Sequence, residues 1–135
     1  MRGLYDAYDR GAETALLLDF NGNIAEGPGF NVFRVKDGRL STPAIGVLPG
    51  ITRRTVLDLC SEEGLTAKAV DVSVASLKAA DEVFITSTAG GIMPVTRIDG
   101  ADIADGQVGP ITRRLMALYW QKHDDPAWST PVNYP

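Results

Sequence analysis

Asn21-Gly22 stands between the apolar run 15–20 and a return segment that reaches Glu26, and no other pair constrains the chain as strongly. Both residue types tolerate positive φ, so the pair predicts a two-residue hairpin. The same punctuation continues downstream. Gly27-Pro28-Gly29 turns a corner, a strand follows over 30–35, Lys36-Asp37-Gly38 turns again, and a short strand covers 39–41. Three strands joined by tight turns predict an antiparallel meander. Upstream, residues 2–11 read as the tail of a helix, with Leu4 and Tyr8 on one face and Gly11 behind it. No cap residue introduces that helix, as expected where a longer helix has been cut.

Helix and strand alternate after the Pro- and Gly-rich loop 42–50. Val56, Leu59 and Cys60 share one face of a predicted helix over 51–63, which Gly64 stops. A strand over 66–72 leads to a short helix over 73–80 with Ser73 as its N-cap. A strand over 82–86 ends in the loop Ser87-Thr88-Ala89-Gly90-Gly91, and another over 93–98 is closed by Asp99-Gly100. Beyond Gly109-Pro110, Ile111, Leu115, Leu118 and Tyr119 mark an amphipathic helix, and the polar tail 124–135 is expected to be draped or loose. The expected fold is therefore one mixed α/β (α+β) domain over 1–135, with a meander first and helix–strand units after it.

The net charge of −4 argues against a nucleic-acid or anionic-membrane surface. Arg53-Arg54 and Arg113-Arg114 fall in first helical turns and read as solvated faces. The apolar runs are too short for a membrane span, and the first residues lack a signal-peptide core. Cys60 is the only cysteine, which excludes an intrachain disulfide and suits a reducing compartment; its place on the apolar helix face predicts a buried thiol. One His and one Cys do not make a zinc site, so no metal is expected. The expected location is the cytoplasm.

Three loops have the composition of a ligand site. Glu26-Gly27-Pro28-Gly29-Phe30-Asn31 sets an acid at a strand end beside residues that allow close backbone approach. Leu48-Pro49-Gly50-Ile51-Thr52 opens a helix, where free N–H groups, the positive end of the dipole and a hydroxyl suit a phosphate. Ser87-Thr88-Ala89-Gly90-Gly91 offers hydroxyls at a strand end. Taken singly, each loop also reads as an ordinary turn, cap or bend. None forms a Walker loop or a dinucleotide fingerprint, which disfavours ATP and NAD.

In sequence order these loops resemble the class IV (fold-type IV) pyridoxal-phosphate aminotransferases. The resemblance rests on Glu-Gly-x-Gly-Phe-Asn, Val-Lys-Asp-Gly-x-Leu, Leu-x-Gly-Ile-Thr-Arg, Thr-Ala-Gly-Gly-Ile-Met-Pro and Gly-Pro-Ile-Thr, and runs from Arg2 to about Tyr134. Phe30-Asn31, the segment from Gly90 to Pro94 and the Tyr- and Trp-bearing last helix look like the (R)-selective amine transaminases, whereas Pro49 looks like the branched-chain aminotransferases. Pro28 is unusual for both.

The resemblance implies the C-terminal pseudo-barrel domain of such an enzyme, with pyridoxal 5'-phosphate as cofactor. It implies that Glu26 pairs with the pyridine nitrogen and that Leu48 packs against the ring. Ile51, Thr52 and Thr88 would hold the phosphate, while Thr88 and Ala89 wall the substrate pocket. The family's Schiff-base lysine would lie upstream of Met1. Lys36, Lys68, Lys78 and Lys122 match no catalytic position, so no catalytic residue is assigned within this chain. The family's N-terminal domain is likewise expected to be absent, leaving the chain inactive alone. The complete enzyme would move an amino group between a small amine or amino acid and a keto acid. A homo-oligomer, or association with a missing N-terminal half, is the expected assembly. The alternatives are a non-catalytic remnant that binds phosphate or a partner chain, and a branched-chain aminotransferase or aminodeoxychorismate lyase-like half.

Overall fold

A computed structural model of the chain describes residues 2–132. Helix α1 (Arg2–Asp9) is followed by strands β1 (Asn31–Lys36) and β2 (Arg39–Pro43), helix α2 (Ile51–Glu62), strand β3 (Ala67–Val70) and helix α3 (Val74–Lys78). Strands β4 (Glu82–Ser87), β5 (Gly91–Val95), β6 (Arg97–Ile98) and β7 (Ala101–Asp102), helix α4 (Pro110–Gln121) and a 3-10 turn (Lys122–Asp124) complete it. Five strands form one mixed sheet in the order β3-β2-β1-β4-β5, with β2 and β3 parallel and the other neighbours antiparallel.

The predicted three-strand meander needs correction. Residues 15–26 do fold back on themselves, with Leu17 N donating to Glu26 O and Ala25 N to Leu17 O. They stay outside the sheet, however, and form only isolated bridges, Leu18–Ile24 within the segment and Asn23–Ser73 to the start of α3, among the described residues. Asn21 keeps negative φ; Asp19 Oδ1 instead accepts from the N–H groups of Asn21 and Asn23. The paired positive φ of a tight hairpin occurs at Asp37 (49°) and Gly38 (70°), which join β1 to β2.

Alternation on the central strands divides the core. Phe33 and Val35 of β1 and Phe84 of β4 face α2 and α4, meeting Val56, Leu59, Cys60 and Leu115. Phe33 and Phe84 are register partners, stacked with ring centroids 4.9 Å apart. On the opposite face, Val32, Val83 and Ile85 pack with Ile24, Val72, Leu77 and Ile103. The face toward α2 and α4 is apolar in the middle and polar at both ends. Val35↔Glu82 closes one end of the β1–β4 ladder and Asn31↔Thr86 the other.

Both polar ends lie at helix N-termini. Glu82, though buried, accepts from Ile111 N (3.1 Å), Thr112 N (2.7 Å) and Thr112 Oγ1 (2.7 Å), and so caps α4 from a neighbouring strand. α2 begins at Gly50 with no side-chain cap and ends where Leu65 N donates to Cys60 O and Gly64 N to Ser61 O, the six-to-one and five-to-two pair of a Schellman stop. Ser73 caps α3 by accepting from Ser76 N, as predicted.

Other boundaries shift. The strand expected over 93–98 starts at Gly91 and breaks after Val95, and its end becomes the separate β6–β7 ribbon. α1 forms, but none of its residues is buried, and Tyr8 is exposed rather than packed. The expected tail reaches past the described residues at 133–135. Within them, Lys122 Nζ lies 4.8 Å over the ring of Trp128. Among the described residues no helix is long and apolar enough to cross a membrane, and no group of His, Cys, Asp and Glu could hold a metal ion.

Candidate active site

The loop after β2, the first turn of α2 and the end of β4 enclose a cleft of about 370 Å³. Glu26, Leu48, Ile51, Thr52 and Thr88 all line it, with Asn31, Arg53, Thr86 and Ser87. Ala89 is exposed on the loop after β4 and is not among the lining residues. Leu48 and Ile51 are largely exposed, whereas Thr52 is buried at the start of α2.

Glu26 is held from two sides. Leu48 N donates to its Oε2 at 2.8 Å, and Asn31 Nδ2 donates to the same oxygen at 3.2 Å. Asn31 Nδ2 also donates to Leu48 O at 2.9 Å, so a single buried amide ties the acid to the loop that opens α2. That tie requires a residue without Cβ at position 50, because a Cβ on Gly50 would run into Asn31 Oδ1. Both bonds fall on Oε2, and among the described residues Oε1 takes no hydrogen bond.

Ile51, Thr52 and Arg53, also in the cleft lining, begin α2, where the first N–H groups of a helix have no intrahelical partner. The dipole and these donors favour an anion. Arg53 is not the solvated residue expected. Its guanidinium is half-buried against β2, Nη2 donating to Pro43 O at 3.0 Å and Nε to Thr42 Oγ1 at 3.4 Å, and burial pushes its pKa below the ordinary arginine value. Thr42 in turn donates to Val32 O, which anchors the start of α2 to the sheet.

The lysines lie elsewhere. Lys36 pairs with Asp81 at 2.7 Å, Lys78 with Asp99 at 2.6 Å and Lys122 with Glu62 at 2.8 Å; Lys68 is exposed on β3, and none of the four lines the cleft. Cys60 is fully buried, and burial pushes its thiol up to about 11.

Sequence reasoning places Asn31 and Arg53 in motifs without giving them a role in the site, and does not reach Thr86. Asn31 carries one available signal, an amide heading a strand of otherwise inward apolar positions.

Residues 4–98 match the family model Amino-transferase class IV. The chain belongs to the class IV aminotransferases. Over 135 aligned positions it is 39% identical to the branched-chain-amino-acid aminotransferase of Salmonella typhimurium, covering 95% of this chain and 44% of that protein. It superposes on the branched-chain amino acid aminotransferase of Thermobaculum terrenum in its PLP-form at a TM-score of 0.91 and 37% identity, covering 98% of this chain and 46% of that one. The branched-chain aminotransferase of Thermoproteus uzoniensis with norvaline gives a TM-score of 0.91 at 34% identity, over 98% of this chain and 46% of that one. The class IV chain described here thus spans about half the length of the relatives it matches. Its mixed α/β fold with a five-stranded sheet is the fold of the corresponding part of those enzymes.

Proposed function

We propose that this chain is the cofactor-holding half of a pyridoxal-phosphate aminotransferase. One observation carries the reading: Glu26, Leu48, Ile51, Thr52 and Thr88, drawn from three separated loops, line one cleft at the N-terminus of α2. The residues fit the group. Donors and hydroxyls suited to a phosphate and a carboxylate with an oxygen free of hydrogen bonds line the same cleft, and its volume suits a small ligand. The bound cofactor supplies an electron sink for the substrate carbon that loses its proton.

Each residue contributes through its own chemistry. Glu26, held through Oε2 by Leu48 N and Asn31, keeps Oε1 free and would pair with the pyridine nitrogen and keep it protonated. The Ile51 and Thr52 N–H groups and the hydroxyls of Thr52 and Thr88 would receive the phosphate. Leu48 would pack against the ring. Thr88 borders the substrate, and Ala89 becomes its neighbour in the wall once the second half is present. That half brings the Schiff-base lysine and completes the pseudo-barrel. Phe20 is fully exposed, and Leu18, Leu48 and Ile51 are exposed as well, an apolar surface suited to the family's other half or a second copy. Likeness to branched-chain relatives favours branched-chain amino acids and their keto acids as substrates over simple amines.

Co-expression with the N-terminal half of a branched-chain relative tests this. A yellow assembly that transfers an amino group from a branched-chain amino acid to a keto acid is expected. Glu26→Gln should slow transfer strongly while keeping the cofactor, because a neutral amide cannot hold the ring nitrogen protonated. Thr88→Ala should mainly weaken cofactor retention. A folded assembly that binds no cofactor would leave a phosphate-binding remnant as the reading.

A further inference from the structure

We propose that Thr86 is a ligand-binding residue whose hydroxyl donates to a phosphate-class oxyanion seated at the N-terminus of α2. The inference rests on the cofactor-half reading and adds to it a donor from inside the sheet. Thr86 is 1% exposed and yet lines the cleft. Among the described residues its Oγ1 meets no hydrogen-bond partner. A buried hydroxyl without a partner destabilises the fold, and native proteins seldom retain one without a use.

The other buried threonines make the contrast. Thr42 donates to Val32 O, and Thr112 donates to Glu82 Oε2. Thr86 lies across the ladder from Asn31, on the face that α2 covers, yet no hydrogen bond joins the two. Asn31 Nδ2 is engaged by Glu26 and Leu48 O, and Thr86 Oγ1 does not donate to the amide oxygen. At the opposite end of the same strand, Glu82 satisfies the first N–H groups of α4 from within the sheet. α2 has no side-chain cap, and the strand residue at its end of the ladder is a hydroxyl donor rather than a carboxylate acceptor. A threonine oxygen can accept from helix N–H groups, as Ser73 does at α3, but Thr86 Oγ1 accepts from none, so its hydroxyl is a free donor beside the first N–H groups of α2. It suits an anion that accepts from those N–H groups and from the hydroxyl together.

The test uses the 135-residue chain and inorganic phosphate, with chloride at matched ionic strength as the control. Phosphate should raise the melting temperature of the wild type, and the rise should follow a saturable curve. Thr86→Val keeps the β-branched shape and removes the hydroxyl. Without phosphate it should melt at or above the wild-type temperature, and its apparent phosphate affinity should fall about tenfold, a typical effect of one lost hydrogen bond to a charged group. Thr86→Ser should retain the phosphate response. Should the valine variant not fold, the Ser and Ala variants at position 86 carry the same comparison. A hydroxyl-free variant with wild-type phosphate affinity overturns the role of Thr86 and leaves the cofactor-half reading intact. A wild type that responds to neither phosphate nor pyridoxal phosphate overturns both.

Discussion

Asn31 Nδ2 lies 3.2 Å from Glu26 Oε2, and the same amide nitrogen also reaches Leu48 O. One side chain, buried at the head of β1, thereby fixes both the acid of the cleft and the loop that starts α2. Asn31→Ala should destabilise the fold by about 1–3 kcal/mol, the usual effect of stranding a buried partner. Asn31→Asp should be worse at pH 7, because it removes the donor and sets a second carboxylate against Glu26. Urea melts at pH 7 measure this. Equal losses for Asp and Ala at pH 7 would contradict the contact.

Glu82 anchors α4. Glu82→Ala strands Thr112 N, Thr112 Oγ1 and Ile111 N in or near the core, and a loss of about 3 kcal/mol or more is expected in urea unfolding. Glu82→Gln keeps one good acceptor and should lose roughly half as much, because a neutral oxygen accepts more weakly than a carboxylate. Similar losses for the two variants would mean that the charge contributes nothing.

Cys60 gives a pH signature with a definite sign. Burial raises the thiol from 9.0 to about 11, so the folded state disfavours the thiolate. The contribution is fully present below pH 9, declines as the unfolded chain ionises above it, and is lost as pH rises through about 11. Two pH units correspond to about 2–3 kcal/mol. The difference in stability between the wild type and Cys60→Ala should therefore shrink between pH 9 and about 11. At about pH 8 the native thiol should resist iodoacetamide and become reactive in urea.

Phe33 and Phe20 test where the core ends. Phe33 is wholly buried against Phe84, and Phe33→Ala should lower stability by about 3–5 kcal/mol. Phe20 is fully exposed in the chain alone, so Phe20→Ala should change its stability by no more than about 0.5 kcal/mol. A large loss at Phe20 would mean that a second copy already covers the hairpin.

Gly91 tests how closely β5 approaches α4. Its φ is +64°, and a Cβ there would lie 2.7 Å from Tyr119 Cε1. Gly91→Ala should lower stability by about 2 kcal/mol, combining left-handed strain with overpacking. A variant with unchanged melting would show that α4 moves aside freely.

By itself the sequence determines what neighbours along the chain can decide. Gly64 ends α2 and Ser73 caps α3 because φ preferences and short-range hydrogen bonds act over a few residues. The spacing of Val56, Leu59 and Cys60 marks the buried face of α2 for the same reason. The ordered loop motifs are enough to indicate the family. The Asn21-Gly22 turn is legible too, but its failure to join the sheet is not, since a turn signal carries no information about the strand beyond it. Pairing between distant segments belongs to the tertiary structure alone. Only the register of β1 on β4 sets Asn31 across from Thr86, and only packing on β2 turns Arg53 from a solvated charge into an anchor. Burial decides the rest. A threonine at position 86 looks like any strand residue until α2 covers it and removes the water that would have satisfied its hydroxyl.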